Sequence, residues 1–498
     1  MTLIFIQRLA RQLALLLVLS LFITACGTAP TASDPSAADA PSVEDEAAPE
    51  QPQSDTTTND DTTNEQSDTN AAISDDIITV TTTNAPNENN PADIARHEQL
   101  LETFAEVQPD VTIDARQGGF DRETFTAKLA AGTMEDTFLV AFTEPQTLIK
   151  ENYVADITDL AQEWEHFESF NPDVLEIVRD TEDRIYGIPS GGYALGLIYN
   201  RKLFEQAGLA PDAPPTSWEQ VREYAQQLSD PSIGQAGFAE LSKGNQGGWH
   251  FTAWVYSFGG DLMEQQDDGQ WVATFNNEAS VQALETLKAM RWEDQSMTEQ
   301  QLLEVKDVLP LLATERVAMA IMAPDALPSL QSQYEANIED FGFGPLPQQG
   351  GNATLAGGAA WMFNPSSPPE IQEAAFEWTV FRDFNIDSYE ADLQGQAERG
   401  ELVGWPQLPL FRGAYQEQRE EVLARYANAP TEYYQPYLEA DVALRPEPPI
   451  ETQKLYAILD TAMQAVLTDE NADPQQVLDE ATQQFQMQVL DQLPAAEE

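Results

Sequence analysis

From Ile77 onward, short β-rich runs alternate with longer helical patterns, and that alternation restricts the chain to α/β units around a mostly parallel sheet. Ile77-Ile78-Thr79-Val80-Thr81 reads as a first strand. The spacing then predicts an amphipathic helix over 93–107, with Ile94, Leu100, Leu101 and Phe104 on its buried side and Pro109 ending it. Val111-Thr112-Ile113 opens a second strand, Phe125 to Leu129 begins a second helix, and Phe138 to Phe142 reads as a third strand. Strand, helix, strand, helix, strand is the core of one lobe. Residues 77–498 suffice for two domains of about 150 residues or more each, and 42% hydrophobic residues supply their interiors.

Upstream, Arg8 and Arg11 precede an apolar run from Leu13 to Ile23 that ends in Ile23-Thr24-Ala25-Cys26. The run is shorter than the roughly 20 apolar residues a membrane-spanning helix needs, and small residues stand just before the cysteine, as signal processing requires. Residues 1–25 are therefore expected to be a lipoprotein signal peptide, cleaved before a lipidated Cys26. Cys26 is the only cysteine, which excludes disulfides and cysteine-based metal sites. Residues 27–76 contain no Lys or Arg and little to bury, so 26–76 reads as the lipidated residue and a disordered acidic tether.

The 84 acidic against 24 basic residues give a formal charge of −60, which repels phosphate backbones and excludes nucleic acid as a partner. An enzyme such as a secreted glycoside hydrolase requires two carboxylates flanking a bond, but Asp and Glu are too abundant here for any pair to carry weight. There is no Gly-x-Ser-x-Gly elbow, His-Glu-x-x-His, P-loop or CxxC. The three histidines, His97, His166 and His250, are scattered, so neither a metal nor a cofactor is expected.

Several motifs follow in order: Tyr186-Gly187-Ile188-Pro189, Tyr193 to Asn200, Leu203 to Leu209, and Pro215-Thr216-Ser217-Trp218-Glu219, where Thr216 or Ser217 is a candidate helix cap. Trp254, Gly259-Gly260-Asp261-Leu262, Ala273 to Asn276, Val317 to Met322, Phe341 to Pro347, Ala374 to Trp378 and Arg445-Pro446-Glu447-Pro448-Pro449 continue the series. Jointly they resemble the family-1 extracellular solute-binding proteins, the maltose-binding-protein-like group. The resemblance implies an α/β, two-lobed periplasmic-binding-protein fold of type II, with discontinuous lobes joined by a hinge and the ligand in the cleft between them. The first lobe is expected at 77–189 and 357–435, and the second at 190–356 and 436–498. By the same resemblance the chain is a monomeric, extracytoplasmic lipoprotein of an ABC importer, not an enzyme. It captures a sugar or oligosaccharide by hinge closure, delivers it to permease subunits, and is held to the cell membrane through Cys26. A secreted glycan-active enzyme and a ligand-sensing lipoprotein are the alternatives.

A sugar site needs aromatic platforms for apolar ring faces and a convergent polar set for hydroxyls. Trp249, after Gly247-Gly248, stands where the resemblance puts a ring-stacking aromatic, whereas Trp254 is expected in the core and His250 is either a contact or a capped core residue. Tyr193 follows two glycines at the lobe crossing. Glu144 after the third strand, Asn84 after the first, and Phe120 and Asp121 after the second occupy loops at carboxyl ends of strands, where open α/β sheets place ligands. Gly358 and Trp361 fall where the family has its second crossover. Ala323-Pro324-Asp325 replaces a family Gly-Pro-Trp, putting the Asp325 carboxylate where relatives have a stacking ring, and only Tyr456 lies near the position of another family aromatic.

Overall fold

The computed structural model describes residues 77–493 apart from 87, 89, 90 and 267; Cys26, the signal segment and the acidic tether lie outside the described residues. β1 (Ile78–Thr82), β2 (Val111–Ala115) and β3 (Thr137–Ala141) run parallel, Ile78 facing Val111 and Thr82 facing Thr137. Their crossovers are α1 (Pro91–Val107) and α2 (Arg122–Ala131). The second helix starts at Arg122, ahead of Phe125, because the Asp121 carboxylate accepts the Thr124 N–H at 2.8 Å and caps it. Phe104 is buried on α1, with Leu100 and Leu101 at the margin of the same core.

Downstream come β4 (Gly187–Ala194), β5 (Gly196–Asn200), β6 (Ala236–Ala239), the hairpin β7 (Met263–Gln265) and β8 (Trp271–Ala273), β9 (Val317–Met322), β10 (Phe341–Pro345), β11 (Ala353–Phe363) and β12 (Ala443–Pro446). The first sheet has the order β12-β11-β3-β1-β2, with β4 also paired to β11, and the second has the order β10-β5-β9-β6. Each sheet has its own interior. Val80, Phe138, Ile188, Met362 and Trp378 are buried around the first, whereas Leu197, Trp218, Phe238, Trp254 and Ile321 are buried around the second.

The chain passes from the first sheet to the second at Leu195, since β4 stays paired to β11 as far as Ala194. It returns between Pro345 and Ala353, so Gly357 and Gly358 lie inside β11 and the crossover precedes them. β12 remains in the first sheet through Pro446, which places the last crossing beyond 435. The reason in each case is a strand partner: backbone groups in a sheet keep their pairing as far as the neighbour extends. After β12, helix α7 (Thr452–Thr468) packs its Leu455, Leu459 and Met463 into the interior of the second lobe.

Two other helices of that lobe matter for the site. α3 (Trp218–Leu228) is capped by the Ser217 hydroxyl, which accepts the Gln220 N–H at 3.2 Å. It presents Trp218 to Trp254 of α4 (Gln246–Ser257), the two indoles stacked at 3.5 Å. The Trp254 Nε1–H donates to Glu240 at 2.7 Å, and His250 Nδ1 lies 2.6 Å from the other oxygen of the same carboxylate. Trp254 and His250 are thus both core residues, each fully buried.

Candidate functional site

α4 approaches α7 so closely that a methyl group on Gly248 would stand 2.3 Å from the backbone of Tyr456. Only glycine permits this approach. The N-terminus of α4 is satisfied from outside: Asp460 of α7 accepts the N–H groups of Asn245 and Gly248, each at 2.7 Å. Burial raises the Asp460 carboxyl above its ordinary range, and these backbone donors oppose the shift. The clamp fixes the first turn of α4, and with it Trp249.

Trp249 is half-buried and meets Tyr193 of β4 edge to face, with 5.9 Å between ring centroids. Tyr193 lies over the glycine opposite it, since a methyl group on Gly357 would fall 2.3 Å from the tyrosine hydroxyl. A strand of the first sheet and a helix of the second lobe therefore supply one aromatic pair. Both rings line a concavity of about 260 Å³, completed by Val305, Met322 and Asp325, the last at the start of α5 (Ala326–Tyr334).

Glu447, just past β12, lies on the segment that carries the last crossing, and the Tyr456 hydroxyl donates to it at 3.0 Å. Burial, opposed by that hydroxyl and reinforced by the charge of Glu144, pushes the Glu447 carboxyl up to about 7. Burial also raises Asp325. The Tyr193 hydroxyl is pushed well up by burial, then by the charges of Glu447 and Asp325, which places both carboxylates within electrostatic reach of one phenol. Glu144 is buried and pairs with Arg122 at 2.5 Å, and Arg122 lies 3.9 Å from Glu451 at the start of α7. Burial works against the Arg122 charge, yet Glu144 and then Glu451 hold it above its usual range. That guanidinium links the first lobe to the second.

Of the residues singled out from the sequence, Tyr193, Trp249 and Asp325 line one concavity, and Glu144 lies outside it, paired with Arg122. The others sit elsewhere. Trp361 is buried, donates its Nε1–H to Asp383 at 2.8 Å and lies under Arg382, so its ring belongs to the interior of the first lobe. Gly358 is required by packing, since a methyl there would meet the Gly191 carbonyl oxygen at 2.2 Å. Phe120 stacks on Phe138, and Asp121 caps α2. Asn84, with φ of 63°, lines a separate cavity of about 560 Å³ together with His97, Ser190, Arg382, Tyr389 and Arg419. That larger cavity involves α6 (Pro369–Phe384) and contains neither Tyr193 nor Trp249. Glu447 and Arg122 were not among the candidates singled out from the sequence, and Tyr456 was named only as lying near the position of another family aromatic. Proline on both sides of Glu447 was the one available signal, since it marks a constrained extended segment.

Two lobes, three crossings and an aromatic pair shared across the junction form a hinged receptor geometry. The family described as bacterial extracellular solute-binding protein matches residues 91–381. The chain belongs to that family. A probable amino-acid ABC transporter periplasmic-binding protein, y4oP, of Sinorhizobium fredii is 26% identical over 232 residues, 45% of this chain and 51% of that one. The chain thus spans about half the length of this curated relative. Among solved structures, an ABC transporter solute-binding protein of Thermotoga lettingae, bound with α-D-tagatose, superposes with a TM-score of 0.66 at 20% identity, covering 82% of this chain and 98% of that one. Maltose-bound T. maritima MalE3 gives 0.65 at 21% identity, with 83% and 100% covered. These likenesses show the two-lobed periplasmic-binding-protein fold. The relatives named here are binding proteins and not enzymes.

Proposed function

We propose that this protein captures a sugar or polyol in the cleft between its lobes and delivers it to the membrane subunits of an ABC importer. It acts as a monomer on the outer side of the cell membrane, held there by a lipid on Cys26. The observation that carries the reading is the Tyr193–Trp249 pair: two rings from different lobes, lining one concavity with the Asp325 carboxylate. Aromatic faces suit the apolar side of a sugar ring, while the Tyr193 hydroxyl, Asp325 and Glu447 suit its hydroxyl groups. The sugars held by the two solved structures of the same fold support this reading.

A ligand that touches both lobes stabilises their closed arrangement, and closure is the signal a permease reads. The concavity is small, which favours one or two sugar units over a long linear glucan, and Asp325 in place of a third ring points the same way. A thermal-shift screen over monosaccharides, oligosaccharides and polyols tests the proposal. A true ligand at one hundred times its dissociation constant adds about 2.7 kcal/mol of stability. Failure of every sugar and polyol to raise the melting temperature would reject it.

A further inference from the structure

Arginine and lysine around the cleft are already committed. Arg122 faces Glu144 at 2.5 Å and Glu451 at 3.9 Å, Lys454 faces Glu451 at 2.9 Å, and Arg445 pairs with Asp261 while lying over the ring of Tyr256 at 3.8 Å. Glu447 and Asp325 form no ion pair among the described residues. Glu447 receives the hydroxyl of Tyr456, and Asp325 begins α5 without a side-chain capping bond. Asp325, without a counter-charge, thus shares one concavity with Tyr193, whose ring meets Trp249, and Glu447, equally without one, lies within electrostatic reach of the same phenol.

We propose that the captured solute carries a protonated amine as well as hydroxyl groups, its cation seated between Glu447 and Asp325 against the rings of Tyr193 and Trp249. This rests on the reading of the cleft as a sugar or polyol site and names the substrate class within it. Three physical effects converge. A carboxylate withdrawn from water is costly until a cation faces it, so an arriving ammonium recovers what desolvation takes away. Aromatic faces attract cations, and a desolvated cation–π contact adds to the ion pair. A surface with 84 acidic against 24 basic residues concentrates cations at the cleft mouth.

The ionisation of Glu447 agrees with this geometry. The groups that face it are the Tyr456, Tyr193 and Tyr256 hydroxyls and the Glu144 carboxylate, with Arg445 two residues away turned to Asp261. None of them supplies a free positive charge, and burial, with Glu144 adding to it, holds the carboxyl up at about 7, so that an arriving cation would draw out its proton.

Calorimetric titration of the purified full-length protein with matched probes at pH 6.5 decides the matter. The pairs are glucosamine with glucose, galactosamine with galactose, mannosamine with mannose, and 1-amino-1-deoxysorbitol with sorbitol. The expected result is that in at least one pair the amine binds tenfold or more tightly than its neutral partner. Glu447→Gln combined with Asp325→Asn should then remove that preference, so that within the variant the amine and its neutral partner bind to within threefold of each other. Should the double variant fold poorly in an apo melt, Glu447→Gln alone retains an acceptor for the Tyr456 hydroxyl and still removes the group that would ionise against the amine. Neutral partners binding as tightly as the amines, or an amine preference that survives the substitutions, overturns the proposal while leaving sugar capture intact. Binding of no sugar or polyol, amino or neutral, overturns both.

Discussion

Trp249 reaches across the junction of the lobes to meet Tyr193 at 89°, so a helix of one lobe and a strand of the other share a single aromatic wall. The two residues are far apart in sequence, and the clamp of α4 against α7 is what brings them together. Gly248 and Asp460 hold the helix start in place.

That clamp is open to direct test. Gly248→Ala places a methyl 2.3 Å from backbone atoms of Tyr456, a contact with no side-chain end able to swing away. Overpacking of this kind costs about 1–3 kcal/mol. Urea unfolding should show a loss in that range, together with weaker ligand binding as Trp249 shifts. Wild-type stability in this variant would mean that the helices are further apart than described.

Glu447 sets a pH dependence. Its carboxyl is held near 7 in the folded protein against 4.5 as its ordinary value, so between those limits the folded state binds more protons than the unfolded one. Stability contributed by this group is therefore full below the lower value and declines as pH rises through the window. Glu447→Gln keeps the shape and removes the charge. The variant should match the wild type at pH 5 and be more stable at pH 8, by something on the order of 1–3 kcal/mol, because one pKa unit corresponds to about 1.4 kcal/mol and residual solvent screens part of the effect. An equal difference in melting temperature at both pH values would contradict this assignment.

Much of the fold was legible because elements with strong local signals coincide with tertiary ones. The alternation of Ile78, Val80 and Thr82 with polar neighbours, the Phe104 face of α1 and the Ser217 cap all state their structure within a few residues. The site was legible only in part. Trp249 and Tyr193 stood out as aromatics next to glycines; Gly248 admits the Tyr456 backbone, whereas the glycine that admits the Tyr193 ring is Gly357 on the facing strand and not its sequence neighbours Gly191 and Gly192. Trp361 carries the same local signature, yet it points inward to Asp383, because alternation along β11 decides which face a side chain takes and that register is a tertiary property. Glu447 and Tyr456 come to the cleft from a segment hundreds of residues away, and no local pattern announces a partner at that distance.

The anchor follows from Cys26 being the sole thiol, preceded by Ile23-Thr24-Ala25. Cys26→Ser should abolish lipid attachment and signal cleavage at that site. Fractionation with gel sizing separates a processed, released protein from one retained by an uncleaved signal. A wild-type mature amino terminus at any other residue contradicts the assignment.

The acidic segment after the anchor lacks the apolar surface needed to offset the ordering of its chain. Deleting residues 27–74 should therefore leave ligand affinity unchanged within a factor of two. Calorimetry comparing the shortened chain with the chain beginning after Cys26 checks this, and a loss of more than a few-fold would assign the segment a part in binding.

Whether the Tyr193–Trp249 wall holds the solute is decided by ligand titration of Trp249→Ala beside an apo melt of the same variant. Trp249 is half-buried, so its removal lowers apo stability by less than the 3–5 kcal/mol typical of a fully buried tryptophan. Loss of a stacking platform should weaken binding tenfold or more, equivalent to about 1.4 kcal/mol. The expected result is that weakening in a protein that still melts cooperatively; unchanged affinity with a collapsed melting temperature would make Trp249 a packing residue and move the solute elsewhere.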